Sequence, residues 1–466
     1  MEDGSVKRES VLDSILGAGR PTPVVRLSSR VTRGLDSEVL VKVESFLPSG
    51  TSADRIAGAL ADEALEREGA PPTSTLVVPA PSGNLGLAMA LAAAVRGHRL
   101  IVTVPDRISP EKVEVMKALG AKVKLCPASV PADHPDSYLS RAGELAGEVP
   151  GAVLVDPALS DAVPAAQAET TGREIFAQLG GRLEALVVPL ESGATVTGLG
   201  RYLKERIPGL KVFGAEPEGS IYRDFVKLGR VGKAGTTLVE GAGAEKIPGT
   251  LDTSVLDDVI QVSDPVALRT ARKLARQEGI LTGGAGGLAV AAALEAGADF
   301  PPGTRILALL PDTGLYYVSR IYNEAWMQAN QILGGTADRT LFDVLSSKKD
   351  DPGALISISP DEPLAEAIAK MKRHTISQLP VLAREGTPVG SLWEAMVIDI
   401  LVQGKDTHAI TVREVMAEPF PIMEMETPVT EAIRQFGPRV PAILVRRRDG
   451  TFAIITKHDL LQGLTA

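Results

Sequence analysis

The chain has 466 residues, a net charge of −9 and one cysteine, a length that calls for two or three domains, each with its own core. The acidic balance, with no basic run against it, gives no support for nucleic-acid binding, and the lone Cys126 rules out an intramolecular disulfide framework and fits a reducing compartment. The N-terminus lacks the apolar core of a signal peptide, and no run approaches the about 20 apolar residues that span a bilayer, so a cytoplasmic protein without a membrane partner is expected. Few aromatics with many Ala, Gly and Arg suggest a bacterial source.

In chain order, residues 1–35 read as a short helix and a turn leading into an extended segment. Val39 to Val43 is predicted as a buried strand and Ala53 to Glu68 as a helix. The apolar run from Leu76 to Ala80 is followed by Pro81-Ser82-Gly83-Asn84-Leu85-Gly86 and an alanine-rich helix to Arg96. Strand, tight polar loop and helix is an arrangement that can hold an anion on backbone amides. The alternation continues with strands at Leu100–Val104, Ala121–Leu125, Leu186–Pro189, Lys211–Ala215 and Ile306–Leu310, and a helix at Ser109–Leu119. Such alternation implies an α/β architecture with largely parallel sheets.

After Tyr317 the pattern changes. A helix from Glu324 to Ile332 and the glycines of Gly334-Gly335-Thr336 read as an interdomain connection. Two similar units of roughly 60 residues follow, an internal duplication. Each has a polar turn, a helix (Leu364 to Lys372; Val429 to Phe436), two short strands (Gln378 to Leu382 with Val389 to Leu392; Ala442 to Val445 with Phe452 to Ile455) and a closing helix. Their sheets are expected to pack together.

The stretch Lys42-Val-Glu-Ser-Phe-Leu-Pro-Ser-Gly-Thr-Ser-Ala-Asp-Arg-Ile56 resembles the cofactor-lysine segment of the cysteine synthase and cystathionine β-synthase family, the fold type II pyridoxal-phosphate enzymes. Further segments match in family order: Ser82-Gly83-Asn84-Leu85-Gly86, Glu111-Lys112-Val113, Thr170-Thr171-Gly172 with Glu174-Ile175, Glu216-Pro217-Glu218-Gly219-Ser220, Glu240-Gly241 with Gly243, and Glu278-Gly279-Ile280-Leu281. The two C-terminal units resemble a pair of CBS domains, the Bateman module. The resemblance implies a two-lobed domain over 1–330, a linker over 331–339, a first CBS domain over 340–404, a second over 405–466, and a homodimer.

The departures fall on the cofactor contacts. The family's Schiff-base lysine is Ala53 here, and a methyl group neither forms an imine nor moves a proton. The family's phosphate loop, Gly-Thr-Gly-Gly-Thr, reads Glu191-Ser192-Gly193-Ala194-Thr195, whose carboxylate should repel a phosphate dianion. The serine that meets the pyridine nitrogen falls at Ala285, and the threonine that opens the substrate loop Pro81-Ser82-Gly83-Asn84-Leu85 falls at Pro81. Asn84, beside the cofactor's 3′-oxygen in the family, is kept, as are the hydroxyls of Ser82, Ser192 and Thr195. Asn84 and its glycines also suit a helix cap, and that reading stands beside ligand contact.

The resemblance and its losses together point to a pseudoenzyme. Such a protein would act by binding a small-molecule ligand or a partner enzyme and would hold any pyridoxal phosphate weakly and without a covalent bond. Two enzyme readings stay open. One is β-replacement on serine or O-acetylserine with a laboratory Lys→Ala change at position 53. The other is a repurposed cleft using Glu191, Glu216 or Asp312 as acid or base without a Schiff base. Neither Lys42 nor Lys246 serves as the imine lysine in the family. In the second CBS unit, Ile455-Thr456-Lys457-His458-Asp459 matches the family's nucleotide contact, with Thr456 and Asp459 as the ligand pair for an adenine nucleotide or S-adenosylmethionine. The first unit, Leu392-Trp393-Glu394-Ala395-Met396, lacks the carboxylate. No metal site is expected, because no His/Cys/Asp/Glu cluster has the spacing for one.

Overall fold

The computed structural model describes residues 11–32, 35–160, 162–333, 339–348, 355–425, 427–437, 440–447 and 450–465. The chain divides into two compact units, Met1–Ile332 and Leu333–Ala466. The glycines expected to connect them, Gly334-Gly335-Thr336, lie outside the described residues.

The first unit is built on two sheets. Strands β1 (Val24–Arg26), β2 (Glu38–Val43), β3 (Thr75–Pro79), β4 (Arg99–Pro105), β5 (Lys122–Cys126), β6 (Ala152–Leu154), β7 (Ala185–Pro189), β8 (Lys211–Pro217), β9 (Asp258–Val262) and β10 (Arg305–Leu310) are in chain order. The smaller sheet has the order β5-β4-β3-β6, and the larger β1-β2-β10-β7-β8-β9. Every pairing is parallel except that of β1 with β2. Strands β3 and β7 are buried at every residue, which is why they read as unbroken apolar runs. Cys126 is buried, and burial pushes its thiol up.

One turn is used twice. Leu76-Val77-Val78-Pro79 runs through Ala80-Pro81-Ser82-Gly83 into the helix Asn84–Arg96; Leu186-Val187-Val188-Pro189 runs through Leu190-Glu191-Ser192-Gly193 into Ala194–Arg206. Gly83 (φ 78°, ψ −17°) and Gly193 (φ 73°, ψ −15°) hold the same left-handed N-cap conformation. A Cβ at Gly193 would also come within 2.6 Å of the Leu251 Cβ. Pro81 and Glu191 thus occupy equivalent places, one in each lobe.

The segment around Ala53 departs from the expected helix. Ser52–Arg55 is a 3-10 turn and the α-helix proper is Ala57–Arg67. Buried ions fix the turn. The Arg55 guanidinium donates to both oxygens of Glu44 and of Glu174, and the Lys42 ammonium donates to Glu174 Oε2, the Thr22 carbonyl and Gln178 Oε1 at 2.7–2.8 Å. Burial would raise the Glu174 carboxyl, but the bonds from Arg55 and Lys42 outweigh it and hold it at about 2.

In the second unit the first repeat pairs β11 (Gln378–Leu382) with β12 (Pro388–Trp393), and the second forms the sheet of β13 (Ile422–Glu424), β14 (Ala442–Arg446) and β15 (Phe452–Thr456). Phe420, Ala442 and Leu444 pack with Trp393, Phe452 and Ile454, so the two sheets share a core. The helix Leu341–Ser347, which the resemblance put at the start of the first CBS domain, instead packs its Leu341 and Val344 into the core of the second repeat.

Breaking the buried ion network should be costly, because two cations would lose a shared partner. Glu174→Gln is expected to lower unfolding free energy by about 3–5 kcal/mol at pH 7, read as a lower urea midpoint at unchanged m. Since the Glu174 carboxyl is depressed from 4.5 to about 2, its ionised form stabilises the fold above the upper value. The difference between wild type and variant should shrink as pH falls through that window.

Candidate functional site

A cleft of about 900 Å³ opens between the two lobes of the first unit. Both Ser-Gly turns face it, contributing Pro81, Ser82, Asn84 and Leu85 from one lobe and Glu191, Ser192, Gly193 and Thr195 from the other. Ala53 lies on its wall, so the position that the resemblance gives to a lysine is present and presents a methyl group. Gly83 and Ala194 stand behind this surface. Ala285, fully buried, is also not on the wall, but a Cβ on Gly241 would lie 3.6 Å from both the Ala285 Cβ and Asn84 Nδ2, so it packs under the floor.

Two of the three suggested acid or base groups are elsewhere. Glu216 does not line the cleft; it is fully buried and accepts from the amides of Tyr222 and Arg223 at 2.9 and 3.1 Å, capping the helix Tyr222–Leu228. Asp312 is fully buried behind Asn84 and is absent from the wall. Glu191 alone of the three reaches the cleft, with part of its surface open.

The structure also brings in groups to which the sequence, though it matched their segments to the family, attached no role. Lys112 is fully buried, and its ammonium donates to the Ser82 carbonyl at 2.7 Å and to Tyr317 Oη at 2.8 Å. Tyr317 passes a hydrogen bond to Asp312 Oδ2, which also accepts from Asn84 Nδ2 at 3.0 Å. An ammonium can only donate, so the direction of the chain from Lys112 through Tyr317 to Asp312 is set. Glu240, on the large lobe, accepts from Ser109 Oγ at 2.8 Å, from Arg320 Nη1 at 2.8 Å and from Lys112 at 3.4 Å. It ties the lobes together at the cleft. Nothing in the helical pattern around Lys112 distinguishes it from a surface lysine; only its tertiary contacts do.

The two lysines weighed beside the imine position differ. Lys42 belongs to the ion network and is fully buried, away from the cleft; Lys246 is on the cleft wall and exposed. In the second unit, Thr456 and Asp459 form a reciprocal cap on the helix Lys457–Thr465, the Thr456 amide and hydroxyl donating to Asp459 Oδ2 at 2.7 and 2.8 Å. Lys348 lies 3.1 Å from the other carboxylate oxygen.

Desolvation holds the Glu191 carboxyl above its ordinary 4.5; the Ser82 hydroxyl and the charges of Lys112 and Arg107 pull it back, and Asp312 adds to the rise. The folded state therefore keeps a proton that the unfolded chain releases, and stability falls as pH rises above the ordinary value. Glu191→Gln is expected to melt above wild type at pH 7 without ligand. The gap should close below about pH 4, where both states are protonated, as read by calorimetry across pH.

The comparisons with known proteins agree with this geometry. Residues 15–312 match the family described as pyridoxal-phosphate dependent enzyme, and residues 353–392 and 412–466 match the CBS domain. The cystathionine β-synthase of Oryctolagus cuniculus is 32% identical over 98% of this chain and 85% of its own length. Among solved structures, an O-acetylserine dependent cystathionine β-synthase from Helicobacter pylori has a TM-score of 0.61 at 32% identity, covering 68% of this chain and 100% of its own. A lysine-to-alanine mutant of O-ureido-L-serine synthase, with O-ureido-L-serine bound, has a TM-score of 0.61 at 33% identity, covering 70% of this chain and 100% of its own. Two lobes around one cleft, matched across the first unit, and a duplicated module matched in the second place this chain in the pyridoxal-phosphate dependent enzyme family, as a homologue of cystathionine β-synthase that carries C-terminal CBS domains.

Proposed function

We propose that this chain is a catalytically degenerate member of its family, which acts by binding a small molecule in the cleft, or a partner protein, and not through a covalently held pyridoxal phosphate. One observation carries the reading: the wall position of the imine lysine is filled by Ala53, 8% exposed, with no amine to offer. The residues around it do not fit the cofactor either. Glu191 puts a carboxylate on the loop that would take the phosphate, Ala285 offers no hydroxyl, and Pro81 has no backbone N–H. Lys112 is held by Ser82, Tyr317 and Glu240. Any pyridoxal phosphate in this cleft is bound weakly and without a covalent bond.

Ligand binding without the lysine has a parallel in the relative whose lysine-to-alanine mutant holds O-ureido-L-serine. In this reading the protein is a cytoplasmic homodimer, and its CBS pair senses an adenosine-type ligand through Thr456 and Asp459. Lys348, 3.1 Å from Asp459, is the cation that this reading would use for a nucleotide phosphate.

Absorption spectra of the full chain with added pyridoxal phosphate, before and after borohydride, are expected to show only the free aldehyde. A band that becomes fixed to the protein on reduction would mean that another lysine, such as exposed Lys246, has taken over, and the reading would fall. Ala53→Lys alone is expected not to restore β-replacement on L-serine or O-acetyl-L-serine, because Glu191, Pro81 and Ala285 remain. Activity in that variant would favour the reading in which position 53 was altered from a working enzyme. For the CBS pair, titration calorimetry with ATP, AMP and S-adenosylmethionine should give binding of one of them that Asp459→Asn weakens at least about tenfold, the value of one charged hydrogen bond.

A further inference from the structure

We propose that the deep end of the cleft is built to hold a cationic, hydrogen-bond-donating group of a small ligand, an ammonium, amidinium or guanidinium, where the family resemblance calls for an anion. The inference rests on the reading of the cleft as a binding site and names the chemistry of what it binds.

Acceptors are what the cleft offers. Asn84 is 8% exposed and lies on the wall, and among the described residues its Oδ1 has no hydrogen-bond partner. The amide cannot simply turn over to change this. Its Nδ2 donates to Asp312 Oδ2, and that carboxylate is already fed by Tyr317, which is fed in turn by the Lys112 ammonium. The polarity of that chain keeps the Asn84 nitrogen on Asp312 and leaves the carbonyl oxygen free. A buried acceptor without a donor is costly, and a ligand N–H removes the cost.

Glu191 supplies the charge when the cation arrives, because a positive group beside it favours the ionised form that desolvation disfavours in the empty cleft. It occupies, in the large lobe, the place that Pro81 holds in the small one, and the Ser82 hydroxyl, two residues before Asn84, is near enough to pull its carboxyl down against desolvation. Of the charged groups that act on it, Lys112 is buried and spent on Ser82, Tyr317 and Glu240, Asp312 is of like sign, and Arg107 is exposed at the rim. None of these gives Glu191 a close buried counter-charge. The second oxygen of Asp312, also without a hydrogen-bond partner among the described residues, lies behind Asn84 as a further buried acceptor, in a carboxyl that burial pushes up and the Lys112 ammonium at 3.9 Å pulls back.

Donors that the family pattern would supply are missing, and the cations that line the cleft, Arg107, Lys246 and Arg320, stand elsewhere on its wall. An amine at 53, a hydroxyl at 285 and a backbone N–H at 81 would each favour an anion, and Ala53, Ala285 and Pro81 provide none. Ser192 Oγ accepts from the amide of Ala194 at 3.4 Å, closing part of the turn on itself. A ligand with a delocalised cation could bond Glu191 and Asn84 Oδ1 together, and the volume of about 900 Å³ leaves room for the rest of it.

The test is titration calorimetry of the full chain with benzamidine and agmatine as cationic probes and with benzoate and inorganic phosphate as anionic ones. Both cations are expected to bind at millimolar concentration or better, and the anions are not. Glu191→Gln, which keeps the shape and removes the charge, should weaken the cations at least about tenfold. Asn84→Leu should weaken them as well, with circular dichroism reporting that the fold is kept. Benzoate or phosphate binding more tightly than the cations overturns the proposal, as does silence from both cations or cation binding that Glu191→Gln leaves unchanged. A reducible pyridoxal-phosphate band would instead overturn the functional reading above, so the two failures are separate.

Discussion

Arg55 and Lys42 are both fully buried cations, and the segment between them can adopt one geometry only because Glu44 and Glu174 neutralise them. Strand β2 supplies Lys42, the turn after it Glu44, the 3-10 turn Arg55, and the helix Arg173–Leu179 nearby Glu174. Four elements are thus tied at one point. Removing any one partner strands a charge in a low-dielectric interior, so the arrangement is kept whole or lost whole. Ala53 sits two residues before Arg55 and takes its place on the cleft wall from this network. The lysine's absence leaves the scaffold of the position intact, because the lysine was never among the groups that hold it.

The cleft itself depends on a second set of contacts, between lobes. Glu240 gathers Ser109, Lys112 and Arg320, and Lys112 bonds the Ser82 carbonyl of its own lobe and Tyr317, which follows strand β10 of the larger sheet. These bonds place the two Ser-Gly turns on facing walls. Since each turn needs a left-handed glycine and is followed at once by a helix, their backbones are nearly fixed, and the chemistry of the site is left to the side chains at 81, 84, 191 and 192. The same backbone can therefore serve an anion or a cation according to a few substitutions.

Much of this was legible in the sequence. The buried parallel strands announce themselves as Leu-Val-Val-Pro runs, because a strand covered on both faces has no polar side to alternate. Ala53, Pro81, Glu191 and Ala285 were located by their neighbours' resemblance to a family pattern, and the structure puts the first three on the cleft wall and the fourth beneath its floor. Other features had no local signature. Lys112 lies in the helix Pro110–Ala118, where nothing but tertiary contact separates a buried lysine from a solvated one. Glu216 is one of the three carboxylates suggested as acid or base in a repurposed cleft, but the helix that starts six residues later uses its carboxylate as a cap. The signal was there in the glutamate's distance from Tyr222, yet it fits a cap and a catalytic acid equally well until the turn is seen. The helix Leu341–Ser347 crosses to the second repeat for a similar reason: its apolar face, Leu341 and Val344, specifies burial without specifying which core.

Energetics separates simple loss of function from a change of ligand. Loss of the lysine alone would leave a cleft still lined with donors and still ready for an anion. Glu191 does more than remove a contact, since a desolvated carboxylate held above its ordinary pKa works against folding at neutral pH. A neutral side chain at 191 would serve the turn as well, given that Gly193 sets its backbone. Binding sites are where groups that weaken a fold are retained, because the ligand supplies what the free protein lacks. Asn84, with a carbonyl oxygen buried and unanswered among the described residues, shows the same imbalance beside it. Two acceptors that each destabilise the empty cleft, on facing turns of the cleft wall, are relieved together by a single donor-rich cation.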